Sequence, residues 1–108
     1  MNMSEYQMLA ARTIRKDQNS DQKLVNAALG LSGEAGEVAD LLKKYLFQGH
    51  AMDRDRILEE VGDVLWYCAL ACTALDEDLS AVAEANIDKL RQRYPNGFSE
   101  YRSTHRDK

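Results

Sequence analysis

The chain has 108 residues, of which 44% are hydrophobic and 30% are charged, a mix typical of one compact domain. Its 14 Lys and Arg against 18 Asp and Glu give a net charge of −4, which argues against tight, nonspecific binding to nucleic acid. The chain has only 1 proline and 6 glycines, which excludes collagen-like proteins and Pro/Gly-rich disordered proteins. We therefore expect a single domain over residues 1–108, with oligomerisation supplementing a modest core.

The sequence predicts neither secretion nor insertion into a membrane. The N-terminus lacks the basic start and apolar run of a secretory signal. The longest apolar stretch, residues 64–75, is too short for a bilayer, which needs about 20 residues. Cys68 and Cys72 lie four residues apart, and we interpret them as small core hydrophobes rather than as a disulfide or zinc ligands. We expect a cytoplasmic protein with no membrane partner.

Helical periodicity dominates and predicts an all-α, antiparallel four-helix bundle with short loops. The first helix is expected over residues 4–15, with Ser4 and Gln7 forming a capping box. The second is expected over residues 20–48, and Gly49 occupies a natural C-terminal cap position. The predicted core stripe of this helix consists of Leu24, Ala28, Leu31, Ala35, Val38, Leu42 and Tyr45.

The third and fourth helices follow in the second half of the chain. The third is expected to begin at Asp53 or Asp55, because acids are favoured at the positive end of a helix dipole. The fourth is expected from Ser80 to Tyr94, with Pro95 ending it, and residues 96–108 are expected to form a mobile tail. The predicted core positions are Ile57, Val61, Val64, Cys68, Ala71 and Leu75 in helix three, and Leu79, Ala83, Ile87, Leu90 and Tyr94 in helix four.

A second stripe on helices two and three carries two acidic pairs, in the pattern Glu-x2-Glu-x22-Glu-x2-Asp. Positions three apart in a helix lie on one face, so each pair points to one side. The ordinary interpretation is surface acids in helical salt bridges, yet only Glu60 has a basic residue, Arg56, at helical spacing. The four residues are Glu34, Glu37, Glu60 and Asp63.

Such carboxylates repel one another and lose hydration when helices pack, which costs several kcal/mol per ion unless something compensates. A hard divalent cation is one compensation, and oxygen-only ligands suit Mg²⁺ or Mn²⁺. If helices two and three pack antiparallel, the four carboxylates can face each other, and two divalent ions would balance their charge. The pattern therefore favours a site that holds Mg²⁺ and also binds a substrate's phosphates.

Helix four carries a polar stripe of its own, with Asn86, Lys89 and Arg93 spaced i, i+3 and i+7. Solvated surface groups are the ordinary interpretation. The alternative is a clamp for phosphate and sugar, because a cation and an amide both donate hydrogen bonds. Lys44, on the same stripe as Glu37, is a further candidate cation for this pocket.

Three glycines, at positions 30, 33 and 36, stand three apart within helix two, where each costs about 1 kcal/mol relative to alanine. Close helix contact is one explanation for their presence. Room for a ligand beside Glu34 is the other, and the two are compatible.

The candidate site residues lie in three segments, residues 30–44 (GLSGEAGEVADLLKK), 59–67 (EEVGDVLWY) and 86–98 (NIDKLRQRYPNGF). Together these segments resemble the MazG-like nucleoside triphosphate pyrophosphohydrolases, with a similarity that spans about residues 5–99. The resemblance implies an all-α enzyme that uses Mg²⁺, or Mn²⁺ as substitute, to convert a (deoxy)nucleoside triphosphate to monophosphate and pyrophosphate. It also implies a homo-oligomer, a dimer or tetramer, whose active sites can borrow residues from a neighbouring subunit.

By position, the resemblance assigns two or more metal ions to Glu34, Glu37, Glu60 and Asp63, which together with Lys89 form the expected catalytic set. It assigns nucleotide contacts to Asn86, Lys89, Arg93 and Lys44. Some relatives have an acidic residue directly before the first metal-binding glutamate, proposed to activate water. Gly33 stands there in this chain, so either Glu59 substitutes as the base or the metal ions alone generate the nucleophile.

Base contacts are expected from helix one and loop side chains, including Gln7 and Trp66. Two other functions stay open at this point. One is a non-catalytic helical interaction module whose acids face solvent or a basic partner. The other is a sister pyrophosphatase of the same superfold that acts on phosphoribosyl-ATP, against which the Asn96-Gly97-Phe98 ending argues.

Overall fold

A computed structural model describes residues 1–106 of the chain, and the predicted all-α class is confirmed within them. The helices are α1 (Met3–Ala11), α2 (Ser20–Phe47), α3 (Arg54–Ala74), α4 (Leu79–Arg93) and α5 (Glu100–Thr104). Helix α2 packs most extensively on α3, while α1 and α4 pack against α3 and against each other. No helix in this part of the chain is both long and apolar enough to cross a membrane.

The start of α1 differs from the prediction. Asn2 caps this helix, and its side chain accepts a hydrogen bond of 2.8 Å from the backbone N–H of Glu5. The predicted capping box at Ser4 is therefore wrong, because Asn2 already provides the extended cap residue and its acceptor. Ser4 instead donates to the carboxylate of Asp78, at 2.9 Å, and so ties α1 to the start of α4.

The long helix α2 begins and ends close to the predicted residues. Asn19 and Gln22 form a reciprocal capping box that satisfies two backbone donors at its N-terminus. At the other end, Gly49 adopts a left-handed backbone with φ of 73°, and the N–H of His50 donates to the carbonyl of Lys44. This geometry agrees with the predicted glycine cap and turns the chain back toward α3.

Helices α2 and α3 run antiparallel with a register visible in two facing pairs. Gly30 lies against the ring of Tyr67, and Glu34 lies beside Asp63. A step of four residues forward on α2 is therefore a step of four residues back on α3. Because this register aligns both acidic pairs with the interface, it sets the position of the candidate site.

The fully formed core lies where α1, α3 and α4 meet. Ala69, Cys72 and Leu79 are buried together there. Gln7 fixes the start of α4 through its side-chain amide, whose oxygen accepts from the N–H of Leu79 at 2.8 Å and whose nitrogen donates to the carbonyl of Glu77 at 2.9 Å. Cys72 is free and buried, which agrees with its interpretation as a core hydrophobe.

The predicted core stripes of α2 and α4 are only partly buried in one chain. Leu42 and Tyr45 remain 41% and 43% exposed, and Ile87 and Leu90 remain 46% and 38% exposed. The face of α2 that contacts α3 is instead the neighbouring stripe. This stripe includes Ala27, which is fully buried, and Glu34, which is partly buried. The radius of gyration is 17.0 Å, against about 13 Å for a compact domain of this length. The helices thus form an open arrangement with unpaired apolar faces.

The segment predicted as a mobile tail, residues 96–108, contains the short helix α5. Ser99 caps it by accepting a hydrogen bond from the N–H of Arg102. Residues 107–108, which the prediction also covered, lie outside the described residues. The C-terminal segment therefore has defined secondary structure at the place where it follows α4.

Candidate metal and nucleotide site

Three carboxylates from two helices meet at the α2–α3 interface. Each of Glu34, Glu60 and Asp63 offers an oxygen atom, and these atoms all lie within 4.8 Å of one another. The i, i+3 spacing places Glu60 and Asp63 on one face of α3, and the antiparallel register brings Glu34 opposite them. The structure therefore brings together three of the four carboxylates that the sequence pattern singled out.

Glu60 is the most deeply placed member of this cluster. It is 8% exposed, and its Oε2 atom is fully buried with no hydrogen-bond partner among the described residues. Its Oε1 atom lies 3.6 Å from Nε of Arg56, one turn earlier on α3. A buried carboxylate oxygen without a partner is costly, and a bound cation would satisfy it. An all-oxygen donor set of this kind fits Mg²⁺ or Mn²⁺.

The same crowding acts on Glu34. A hydrogen bond that protonated Glu34 can make to Glu60, together with desolvation and repulsion by Glu60, Asp63 and Glu37, raises the pKa of Glu34 from 4.5 to about 7. Protonation of Glu34 is the response of the metal-free cluster to its own negative charge. A cation that binds here would therefore compete with this proton.

Glu37, the fourth acid, lies at the edge of the cluster. Its Oε2 atom is 3.6 Å from a terminal guanidinium nitrogen of Arg56, and its side chain is 54% exposed. Arg56 thus bridges Glu37 of α2 and Glu60 of α3. Helical spacing predicted only the Arg56–Glu60 contact, because the second pair exists only once the two helices have packed.

Two tyrosines that the site prediction did not include lie beside the carboxylates. Tyr67 is one turn beyond Asp63 and packs on Gly30, with its ring edge-to-face against Trp66 at a centroid distance of 5.0 Å. The pKa of Tyr6 is raised, first by burial and then by the negative charges of Asp63 and Cys68. A sequence signal existed for Tyr67, since Asp63 and Tyr67 share the second stripe of α3.

Several other predicted residues lie away from the cluster or are engaged elsewhere. Lys44 forms an ion pair with Asp40, at 2.9 Å, on the same helix. Glu59 is exposed and is not in the three-carboxylate group. The indole of Trp66 donates to the hydroxyl of Thr13 at 2.8 Å. The indole N–H of Trp66 and the side-chain amide of Gln7 are therefore both engaged in hydrogen bonds within the fold, which disfavours these two residues as contacts to the nucleotide base.

Two of the three predicted nucleotide-binding residues of α4 line a cleft that is separate from the carboxylate cluster. Asn86 and Lys89 are exposed, and Lys89 and Arg93 line a cleft of about 620 Å³ with the C-terminal segment. None of the three clustered carboxylates lines this cleft. Within one chain, the structure therefore does not place the α4 stripe and the carboxylate cluster in a single pocket.

Comparison with known proteins bears on the same residues. The model of the MazG nucleotide pyrophosphohydrolase domain matches residues 22–98, a stretch that contains both acidic pairs and the α4 stripe. The chain is also similar to the "Gene 37 protein" of Mycobacterium phage L5, with 36% identity over 105 residues, covering 90% of this chain and 92% of the phage protein. No solved structure matches the chain. On the strength of the domain match over most of its length, the chain belongs to the MazG nucleotide pyrophosphohydrolase family.

Proposed function

We propose that this protein is a Mg²⁺-dependent nucleoside triphosphate pyrophosphohydrolase, which converts a (deoxy)nucleoside triphosphate and water to the monophosphate and pyrophosphate. The observation that supports this proposal most directly is the buried Oε2 atom of Glu60, which lies within a three-carboxylate cluster and has no hydrogen-bond partner among the described residues. That cluster lies inside the stretch that matches the pyrophosphohydrolase domain.

Glu34, Glu60 and Asp63 would hold the metal, and Glu37 would join them when its side chain leaves Arg56. When bound, divalent ions neutralise phosphate charge and lower the pKa of a bound water. To serve as a ligand, Glu34 would need to be in its deprotonated form, because the proton and the cation offset the same excess negative charge. Without metal, Arg56 pairs with Glu37 and Glu60, so it would compete with the cation for these two carboxylates.

The residues of α4 would act on the nucleotide. Lys89 supplies a fixed positive charge to the phosphates, Asn86 offers amide donors and acceptors, and Arg93 lies one turn farther along the same face. Glu59, exposed next to the buried Glu60, stays the candidate general base. These residue roles are the ones that membership of the family suggests for the matching positions of this chain.

We also propose that the active form is a homo-oligomer, a dimer or a tetramer, in the cytoplasm. The exposed Leu42, Tyr45, Ile87 and Leu90 and the large radius of gyration support this, because an open chain of this length leaves apolar faces in water. A neighbouring subunit could also bring the α4 stripe to the carboxylates. Light scattering during size exclusion would measure the assembly, and a monomer at working concentration would contradict it.

The activity is tested by incubating the protein with canonical and modified (d)NTPs and with phosphoribosyl-ATP, each with Mg²⁺ or Mn²⁺, while pyrophosphate release is monitored. We expect release from nucleoside triphosphates and loss of turnover in Glu60→Gln. Asp55→Asn, an exposed acid of the same helix outside the cluster, is the matched control. A preference for phosphoribosyl-ATP would identify the sister pyrophosphatase, and no turnover on any substrate would favour the non-catalytic module.

A further inference from the structure

The side of helix α2 that points away from α3 is apolar and exposed. Among the helices of residues 1–106, α3 is the one that packs extensively on α2. A step of two residues turns about 200° around a helix, so Gly36 lies on the side opposite Glu34 and the α3 interface. The four large aliphatic side chains on this opposite side are 41% to 70% exposed. We call this side the outer face; its residues are Val25, Leu29, Ser32, Ala35, Gly36, Ala39, Leu42 and Leu46.

The outer face has nearly the same pattern when it is read in either chain direction. Counted outward from the point between positions 35 and 36, small residues occupy the first and fourth positions on both sides. Large aliphatic residues occupy the seventh and eleventh positions on both sides. A two-fold axis through this point would set each residue opposite its counterpart in a second, antiparallel copy, which is the self-complementarity of an isologous interface. The counterparts are Val25 with Leu46, Leu29 with Leu42, Ser32 with Ala39, and Ala35 with Gly36.

The contacts within one chain do not explain the glycine at the centre of the outer face. A Cβ atom at Gly36 would meet nothing within 4 Å, and glycine weakens the interior of a helix relative to alanine. Where two helices cross, small residues allow their backbones to approach closely. Gly30 already has this role inside the chain, since its missing side chain makes room for the ring of Tyr67. Gly36 and its small neighbours therefore favour another helix as the group that covers the outer face.

We propose that the outer face binds the outer face of a second copy of this chain, with the two α2 helices antiparallel and crossing at Ala35 and Gly36. The small residues lie at the point of closest approach, and the large ones fill the space where the crossing helices diverge. Lys43 borders the face, where it would lie opposite the small Ala28, and its ammonium group is drawn toward Asp40 at 3.6 Å. This arrangement therefore buries no unpaired charge.

The contact specifies the surface that builds the homo-oligomer included in the proposed function, and it rests on that part of the function. It does not rest on hydrolysis, because the carboxylate cluster lies on the opposite side of α2 and stays open when the outer face is covered. Assembly and turnover can therefore be measured separately.

The main test uses two charged variants and light scattering during size exclusion. We expect Leu29→Lys and Leu42→Glu each to halve the mass of the assembly, because each variant would place an unpaired charge in the contact. An equimolar mixture of the two variants should restore the mass, since the antiparallel pairing sets the introduced lysine of one copy against the introduced glutamate of the other. Chains that fail to fold would not be restored by mixing. Gln48→Lys and Gln48→Glu add the same charges just after α2 and should leave the mass unchanged.

A second pair of variants tests the crossing point. Gly36→Leu places a bulky side chain where the helices approach most closely, and it should weaken the Kd of self-association at least about tenfold. Gly33→Leu makes the same change at a glycine that also has open space around it but lies outside the outer face. We expect this control to leave the Kd within about twofold.

Three results would overturn the inference. One is an unaltered protein that is monomeric, and another is an unchanged mass in both charged variants. The third is a loss of mass that mixing does not restore, which would exclude the antiparallel pairing. Pyrophosphate release by a protein that does not assemble through the outer face would leave the hydrolase function standing and remove this inference. Assembly through the outer face without turnover on any substrate would do the reverse.

Discussion

The ring of Tyr67 occupies the space that any side chain at position 30 would need. A Cβ atom at Gly30 would overlap three carbon atoms of that ring. The ring cannot move aside freely, because it packs edge-to-face on Trp66. The absence of a side chain at position 30 thus lets α2 approach α3 one turn before Glu34 meets Glu60 and Asp63.

Replacing Gly30 by alanine should therefore destabilise the protein even though alanine favours helices. Overpacking costs about 1–3 kcal/mol, and the gain in helix propensity returns about 1 kcal/mol. We expect a net loss of up to about 2 kcal/mol in the free energy of unfolding measured in urea. Gly33→Ala is the matched control, since a Cβ there meets nothing within 4 Å and should stabilise by up to about 1 kcal/mol. Equal effects of the two changes would contradict the close approach at Gly30.

The raised pKa of Glu34 makes the metal-free protein sensitive to pH. Because this pKa is about 7 in the folded chain and 4.5 ordinarily, the folded state holds the proton more tightly. The stability that it contributes is present below about pH 4.5 and is lost as the pH rises through 7. In EDTA, the melting temperature should fall between pH 5 and pH 8.

Glu34→Gln should remove most of this fall, because an amide does not titrate. Glu84→Gln, on the exposed surface of α4, changes the same group away from the cluster and serves as control. A fall that is equally steep in Glu34→Gln and in the unaltered protein would assign the pH dependence to other groups.

Mg²⁺ or Mn²⁺ should raise the melting temperature at pH 7.5, because a ligand that binds only the folded state stabilises that state. At a metal concentration of 100 times Kd, the free energy of unfolding rises by about 2.7 kcal/mol. Glu60→Gln should abolish the rise while leaving the metal-free protein at least as stable, since it removes the charge from a buried carboxylate with an unpartnered oxygen. Asp55→Asn should respond to metal as the unaltered protein does. A full metal response in Glu60→Gln would contradict its assignment as a ligand.

Arg56 competes with a metal ion for the same carboxylates, Glu37 and Glu60. Arg56→Gln should therefore tighten Mg²⁺ binding, by about two- to fivefold, the range of a half-exposed ion pair. Titration calorimetry at fixed ionic strength measures this change. Arg54→Gln, an exposed arginine at the start of the same helix, controls for net charge. Weaker binding in Arg56→Gln would mean that Arg56 orients the cluster rather than competing with the ion.

The ends of α2 and α3 were predictable because local chemistry decides them. Gly49 supplies the left-handed residue that closes α2, and the acids at positions 53 and 55 begin α3. The sequence predicted the facing of Glu34 with Glu60 and Asp63 only on the condition that α2 and α3 pack antiparallel, and the structure meets that condition. The capping box at Ser4 failed because Asn2, two residues earlier, caps α1.

By itself, the sequence determined helices α1 to α4, the acidic pairs and their shared faces, because caps and periodicity act over a few residues. It did not predict α5, which lies in the segment expected to be mobile. Only the tertiary structure decided which of two adjacent stripes on α2 faces α3, since both contain small and apolar residues and packing selects between them. The second ion pair of Arg56 and the contact of Tyr67 with Gly30 join positions far apart in the chain, and so does the cleft that Lys89 shares with the C-terminal segment. Such relationships depend on helix register and on the packing of distant segments, which no local pattern encodes.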